Sequence, residues 1–480
     1  MPTTLSKPAL IVHRFFPASG IGPPPAAADL WQSLSGLGMD ERIGDLPLKL
    51  PVNEGSGPPA LLAARSRNAP GSSVHEALAF RMHGFVGISA LLAPNDDAIA
   101  WEELRSRWRS ATPPPTGNEV GAAVVQVGFS DRRGLARSRG KEYGILQLAR
   151  VHVGDEAVLS WSRVGADLYQ WDMPAVDGER CSLVLADRDD ESAMDYWTWL
   201  SYGHTPPPLT RYLLNANIIR DQERVAIKCL PLQHEAMDTS RDASAPLVAL
   251  LRADDPAVSQ VAAAARNLQL IQAQQGGLIS ASADLRTMIE TIGAARRNMV
   301  AALGAVVNHR AGGPFARLDA MTAQLVEQLH IERTYIEAEV QRSDHLARLA
   351  GAVVEERSRR RQETLSLLQA SVLGGLLMAL AAVQALDYKI PLPEHLQAPF
   401  IGLFGAIALA LPVGVLSWPR RGAAARRPWW PGLAGATIGA SLGWLLTAAF
   451  VWPRPVELGL PLFGAIGLGA ALWFIARSRE

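Results

Sequence analysis

The sequence predicts an α+β cytosolic head, a helical stalk or bundle, and a C-terminal segment of four transmembrane helices. Three observations lead there. At 480 residues the chain is too long for one compact core. Four apolar stretches of 18 to 22 residues gather beyond residue 364. Between Pro246 and that point glycine and proline thin out, and Ala, Leu, Gln, Glu and Arg dominate. The predicted divisions are residues 1–115 and 116–245 as two α+β halves, 246–363 as stalk or bundle, and 364–480 as the membrane segment.

In the first half Leu10–Phe16 (LIVHRFF) is a β-prone run, followed by Pro-rich turn material and a helix over Ala26–Leu37. Phe80–Ala93 is a second strand candidate. It leads through Pro94-Asn95-Asp96-Asp97 into an amphipathic helix carrying Trp101, Leu104 and Trp108. Pro113-Pro114-Pro115 reads as a linker. The second half repeats the order: Gly121–Phe129 and Cys181–Ala186 as strands, then an acidic turn and a helix with Tyr196, Trp197 and Trp199. This reads as a duplicated small α+β unit. Pro208 at a first turn opens a helix over Leu209–Lys228. Further helices are expected over Ala257–Gln275, Leu278–Asn308 and Pro314–Glu363. The last of these serves as a coupling stalk or as part of a plain bundle.

The apolar stretches are Leu365–Leu386, Pro399–Leu416, Leu433–Val451 and Leu458–Ala476. Each is near the ~20 residues that cross a ~30 Å hydrocarbon core. Arg357, Arg359, Arg360 and Arg361 precede the first; Arg420, Arg421, Arg426 and Arg427 lie between the second and third; Arg477 and Arg479 follow the fourth. With four spans all three basic clusters fall on one side, which the Lys and Arg bias marks as cytoplasmic. The expectation is a multi-pass protein of the inner (cytoplasmic) membrane, both ends cytosolic, in contact with membrane lipid. Gly435, Gly439 and Gly443 recur every fourth residue in the third stretch, a helix-packing stripe that lets backbones approach and favours helix association; a homo-oligomer is expected. No stretch holds a charged residue or histidine at its centre, which argues against a proton relay.

Residues 364–480 carry eight Lys or Arg against four Asp or Glu, and the whole chain sums to zero. Such a balance does not suit a nucleic-acid binder. The first twenty residues lack the h-region of a secretory signal, so the head is expected to stay where it is made. Two cysteines, Cys181 and Cys229, fit a reducing compartment. There is no phosphate-loop motif, no dinucleotide-binding glycine pattern, no H-E-x-x-H and no G-x-S-x-G elbow. No catalytic residue, cofactor or metal site is therefore expected. His13 and His83 read as core residues on neighbouring strands rather than half of a metal site. Cys181 and His204 offer no sign of a nucleophile–base pair. The basic stretch from Asp131, with Arg132, Arg133, Arg137, Arg139 and Lys141, reads as a solvated loop. Its sharper reading is a protease-accessible or lipid-contacting loop.

LIVHRFF, FRMHGFVGISALLA, LTRYLLNANIIRDQERV, LHIERTYIEAEVQRS and ERSRRRQETLSLLQ resemble the CATRA family, caspase- and TPR-repeat-associated proteins of bacterial conflict systems. The resemblance implies a non-enzymatic sensor, target or effector working beside a caspase-like peptidase. A second likeness, of architecture alone, is to CorA-type magnesium channels. Their Gly-Met-Asn after the first span is replaced here by Leu386-Asp387-Tyr388-Lys389. The alternatives are an oligomeric ion channel or transporter gated by the head and, behind it, an enzyme hidden in the head.

Overall fold

The structure, a computed structural model, describes residues 4–18, 24–51, 58–67, 73–131, 139–154, 160–165, 167–176, 178–199, 205–304, 307–308, 312–387, 393–417 and 430–450. The chain forms two compact units, Met1–Pro246 with Arg266–Leu346, and Leu247–Ala265 with Ala347–Glu480.

The first half supplies β1 (Thr4–Pro17), α1 (Pro25–Ser33), β2 (Glu41–Arg42), β3 (Ala60–Arg67), β4 (Val74–Met82), β5 (Phe85–Ala93) and α2 (Trp101–Ala111). The second supplies β6 (Gly121–Asp131), α3 (Arg139–Val153), β7 (Ser162–Val164), β8 (Leu168–Val176), β9 (Glu179–Asp187) and α4 (Glu191–Thr198). Then come α5 (Pro208–Arg252), α6 (Val258–Ala273), α7 (Leu278–Leu303), β10 (Val307–Asn308), α8 (Pro314–Asp387), α9 (Glu394–Ser417) and α10 (Trp430–Phe450).

Among the described residues ten strands form one sheet in the order β10-β7-β8-β9-β6-β1-β5-β4-β3-β2. Its centre is the antiparallel pair β1·β6, to which the two halves add their strands outward in the same order, last strand first. Strand sense differs between them: β1 runs antiparallel to β5, whereas β6 runs parallel to β9. Continuous apolar runs such as LIVHRFF are what a strand covered on both faces requires. Leu10, Val12 and Phe16 point to one face, with Leu30, Trp31, Leu104, Trp108 and Ile145 from α1, α2 and α3. Ile11 and Phe15 point to the other, among Leu213 and Ala216 of α5, Leu285 and Ile292 of α7, and Phe315 and Leu318 of α8. Each such side chain taken fully from water contributes ~1.5–3 kcal/mol. The head is thus three layers, short helices, sheet and long helices, an α+β sheet domain with a helical C-terminal region.

Several sequence expectations are corrected. Phe80–Ala93 is not one strand but parts of β4 and β5. They are joined at His83 and Gly84, both with positive φ (52° and 79°), as a two-residue hairpin turn of the primed kind requires. His83 therefore sits in a turn and not on a strand beside His13. The helix expected to stop at Lys228 continues as α5 to Arg252 through Pro231 and Pro246. α5 and α8 run parallel along one another: His234 meets Glu332 (2.8 Å) and Arg241 meets Glu339 (3.4 Å), each pair 98 residues apart. The helix expected over Leu278–Asn308 ends at Leu303, and Val307–Asn308 joins the sheet edge beside β7.

In the second unit α9 and α10 pack on one another, with Gly402 under the Trp444 ring. Three of the predicted spans fall on helices: the end of α8, α9, and α10 as far as Phe450. The fourth, Leu458–Ala476, lies outside the described residues. Among the described residues no helix is long and apolar enough to cross a membrane.

Candidate functional site

Ionisable side chains seldom enter a sheet core unless paired, yet each face of this sheet holds a buried charged cluster. On the short-helix face Arg14 of β1, 2% exposed, clasps Glu119 through two nitrogens, Nε to Oε2 at 2.7 Å. It also donates to the carbonyls of Pro113 (2.8 Å) and Pro114 (3.3 Å). The proline run expected to be a linker is thereby bound into the head. Nearby, Arg105 of α2 donates to the Cys181 sulfur (2.9 Å) and lies 3.6 Å from Glu179. Burial pushes the Glu179 carboxyl up from its ordinary value, and Arg105, Arg109 and Arg14 pull it back.

The long-helix face carries the second cluster, built from three sequence regions. Gln170 and Asp172 alternate along β8, and Ser182 stands across from Asp172 on β9, two residues after Arg180. Arg180 donates from Nη2 to Asp172 (3.0 Å), while its Nε and Nη1 make no hydrogen bond. Tyr212 of α5 covers the guanidinium, 5.7 Å from ring centre to Cζ. Its hydroxyl faces Arg180: burial raises the Tyr212 pKa, and the charge of Arg180 pulls it back. Phe315 of α8 packs edge-on against Tyr212 (4.8 Å) and Trp197 (6.3 Å), and Trp197 Nε1 donates to Gln170 (3.4 Å). Arg317 reaches the other Asp172 oxygen at 3.9 Å. Burial alone would lower the Arg180 pKa; Asp172 and Tyr212 outweigh it and raise it. Burial and the charge of Arg180 both lower that of Arg220, which also feels Asp172.

The sequence-predicted residues are scattered by comparison. His13 is fully buried, with Nδ1 2.7 Å from the Ser89 hydroxyl, and burial lowers its pKa to about 3. That is the core role expected of it. Arg132, Arg133 and Arg137 lie outside the described residues, as does His204, while Arg139 and Lys141 belong to the first turn of α3, not to a loop. Arg357 is tied to Asp255 (3.2 Å) and the Pro256 carbonyl, and Arg360 to Glu356 (2.8 Å); Arg359 and Arg361 are exposed. Arg420, Arg421, Arg426 and Arg427 lie outside the described residues. Gly435, Gly439 and Gly443 are buried on α10. Among the described residues no three His, Cys, Asp or Glu side chains gather as a metal-holding group.

Both charged clusters escaped the sequence reading because their members stand far apart in the chain. The available signal was a charge inside an apolar run, Arg14 in LIVHRFF and Arg180 at the head of CSLVLA.

Comparison with known proteins gives three findings. No curated protein matches the chain. A solved structure, the complete CorA magnesium transporter of Methanocaldococcus jannaschii, is similar at 9% identity, over 64% of this chain and 93% of that one. Its TM-score of 0.21 is too low to carry any argument. Residues 9–202 match CATRA-N, the caspase and TPR repeat-associated N-terminal domain, and residues 207–343 match CATRA-C, the corresponding C-terminal domain. The first match covers the strands from β1 to β9 and the second the helices laid across them, so the chain belongs to the CATRA family.

Proposed function

We propose that this protein is a membrane-anchored, non-enzymatic component of a bacterial conflict system, acting with a caspase-like peptidase as its sensor, target or effector. The family's association with caspases supports the partner. The observation that carries the anchor is the last third of α8. Leu365, Leu373, Leu376, Leu377 and Leu380 are each 59–67% exposed, and Leu367, Val372 and Met378 are exposed beside them. At 3.6 residues per turn these side chains point around most of the circumference. A helix apolar on so many sides is not a water-facing one. The run follows Arg357–Arg361, the arrangement expected at a cytoplasmic membrane boundary. The anchored chain lies in the inner membrane with its head in the cytosol.

The test places full-length protein in liposomes, with and without a caspase-like peptidase, and measures flotation and dye leakage. Co-flotation is the expected result; a chain that stays in the aqueous fraction sinks the anchor. Leakage only after peptidase action identifies a pore-forming effector. Leakage without a partner supports an oligomeric channel. Tight vesicles in both cases leave an anchored sensor or scaffold.

A further inference from the structure

The charge balance on the long-helix face is unusual. Arg180 from β9 pairs with Asp172 (3.0 Å), Arg317 from α8 approaches the same carboxylate (3.9 Å), and Arg220 from α5 feels Arg180, Asp172 and Glu223. Arg180 is 3% exposed, and two of its nitrogens make no hydrogen bond. Beside it the buried Ser182 hydroxyl is also unpartnered, and the buried Tyr212 hydroxyl has no neighbour but the guanidinium it faces. Two unused guanidinium nitrogens on a buried arginine cost more to bury than any neutral group. The cluster opens to solvent at one end, where Arg317 and the Asp172 side chain are partly exposed. Everything left unpaired is a donor or a hydroxyl, and these groups come from the sheet and from two helices. Such a spread suits a group that accepts hydrogen bonds in several directions, as a tetrahedral oxyanion does.

We propose that Arg180, Arg220 and Arg317, with Ser182 and Tyr212, form a binding site for a phosphate oxyanion, free or as the phosphoryl group of a small metabolite. Asp172 holds Arg180 through Nη2 and leaves Nε and Nη1, on either side of it, for the ligand. Arg220 and Arg317 close on the anion from the helices, so occupancy fastens α5 and α8 to the sheet. This is independent of the membrane proposal, since every group lies in the head.

The experiment is a thermal-unfolding titration of the full-length protein in mild detergent, at constant ionic strength, with inorganic phosphate, phenyl phosphate or chloride. Phosphate should raise the midpoint saturably in the wild type, and chloride should not. Arg220→Gln and Arg317→Gln, at positions that are not fully buried, should fold normally and each weaken the apparent affinity at least tenfold. Arg296→Gln, which removes an exposed partner of Asp319 (2.7 Å), should leave the affinity unchanged. If phenyl phosphate matches phosphate, the ligand is an organic phosphate entering from the open end. If it fails where phosphate succeeds, the site takes the free ion. A phosphate effect no larger than chloride's, or one that survives both substitutions, overturns the site and leaves a closed ion-pair network.

Discussion

Glu119→Gln tests the short-helix cluster with almost no change in shape. The Arg14 and Glu119 side chains are 2% and 3% exposed, so solvent cannot replace the lost charge. Removing one partner of a buried pair costs about 3–5 kcal/mol. Arg14 keeps the Pro113 and Pro114 carbonyls, and a glutamine oxygen still accepts one bond, so the lower end, about 3 kcal/mol, is expected. Glu119 also accepts from the Thr116 N–H (3.1 Å), a bond the amide can retain. Urea unfolding of the full chain in mild detergent, followed by tryptophan fluorescence, reports the head, where many of the tryptophans are buried. A chain of two units is not a two-state system, so midpoints are compared and not extrapolated energies. With a slope of about 3 kcal/mol/M the midpoint should fall by about 1 M. The double variant Arg14→Met/Glu119→Leu removes both charges and should return to within about 1 kcal/mol of the parent. A fall below about 0.3 M for Glu119→Gln, or a double variant as weak as the single one, refutes the argument from buried charge.

Three further outcomes are expected. His13 is neutral in the fold with its pKa near 3, against about 6.5 unfolded. The unfolded chain therefore binds the extra proton between these values, and stability falls as pH drops below 6.5, by up to about 1.4 kcal/mol per pH unit. His13→Gln should flatten much of that slope in unfolding midpoints taken from pH 7 to 5. Gly87 lies under the Phe80 ring on the paired strand, where a Cβ would collide with the ring, so Gly87→Ala should cost about 1–3 kcal/mol in the same urea assay. Leu376→Arg with Leu377→Arg should lower the share of the chain recovered in the membrane fraction on cell fractionation, each costing about 2.5–3.5 kcal/mol at a span centre.

The parts of the fold that could be read in the sequence are those where local chemistry and final environment agree. LIVHRFF and GAAVVQVGF are continuous apolar runs that became the two central strands. The Trp101, Leu104 and Trp108 spacing became α2. β3 and β4 were missed because ALLAARSR and VHEALAFRM are rich in alanine and charge, and only their place between paired neighbours makes them strands. β8 was missed for a related reason: it carries Gln170, Asp172 and Pro174. α5 outran its expected end because Pro231 normally breaks a helix; here it is kept within one that packs along α8. The arginine clusters were the least legible. Arg14 meets Glu119 across 105 residues, and Arg180 meets Tyr212, and Asp172 meets Arg317, only after β8, β9, α5 and α8 are assembled.

The two outermost strands, β2 and β10, are two residues each, and Glu41 and Arg42 of β2 are exposed charges. A strand so short offers an incoming peptide little backbone to pair with, and charge on an edge discourages stacking of sheet upon sheet. Capture of a partner by strand addition, a common mode of peptide recognition, is therefore disfavoured at β2. The outer surfaces of the head's helices are then a natural place for a peptidase or a second copy to engage it. Its specificity would then rest on side chains, so point substitutions on those surfaces could separate partner binding from folding.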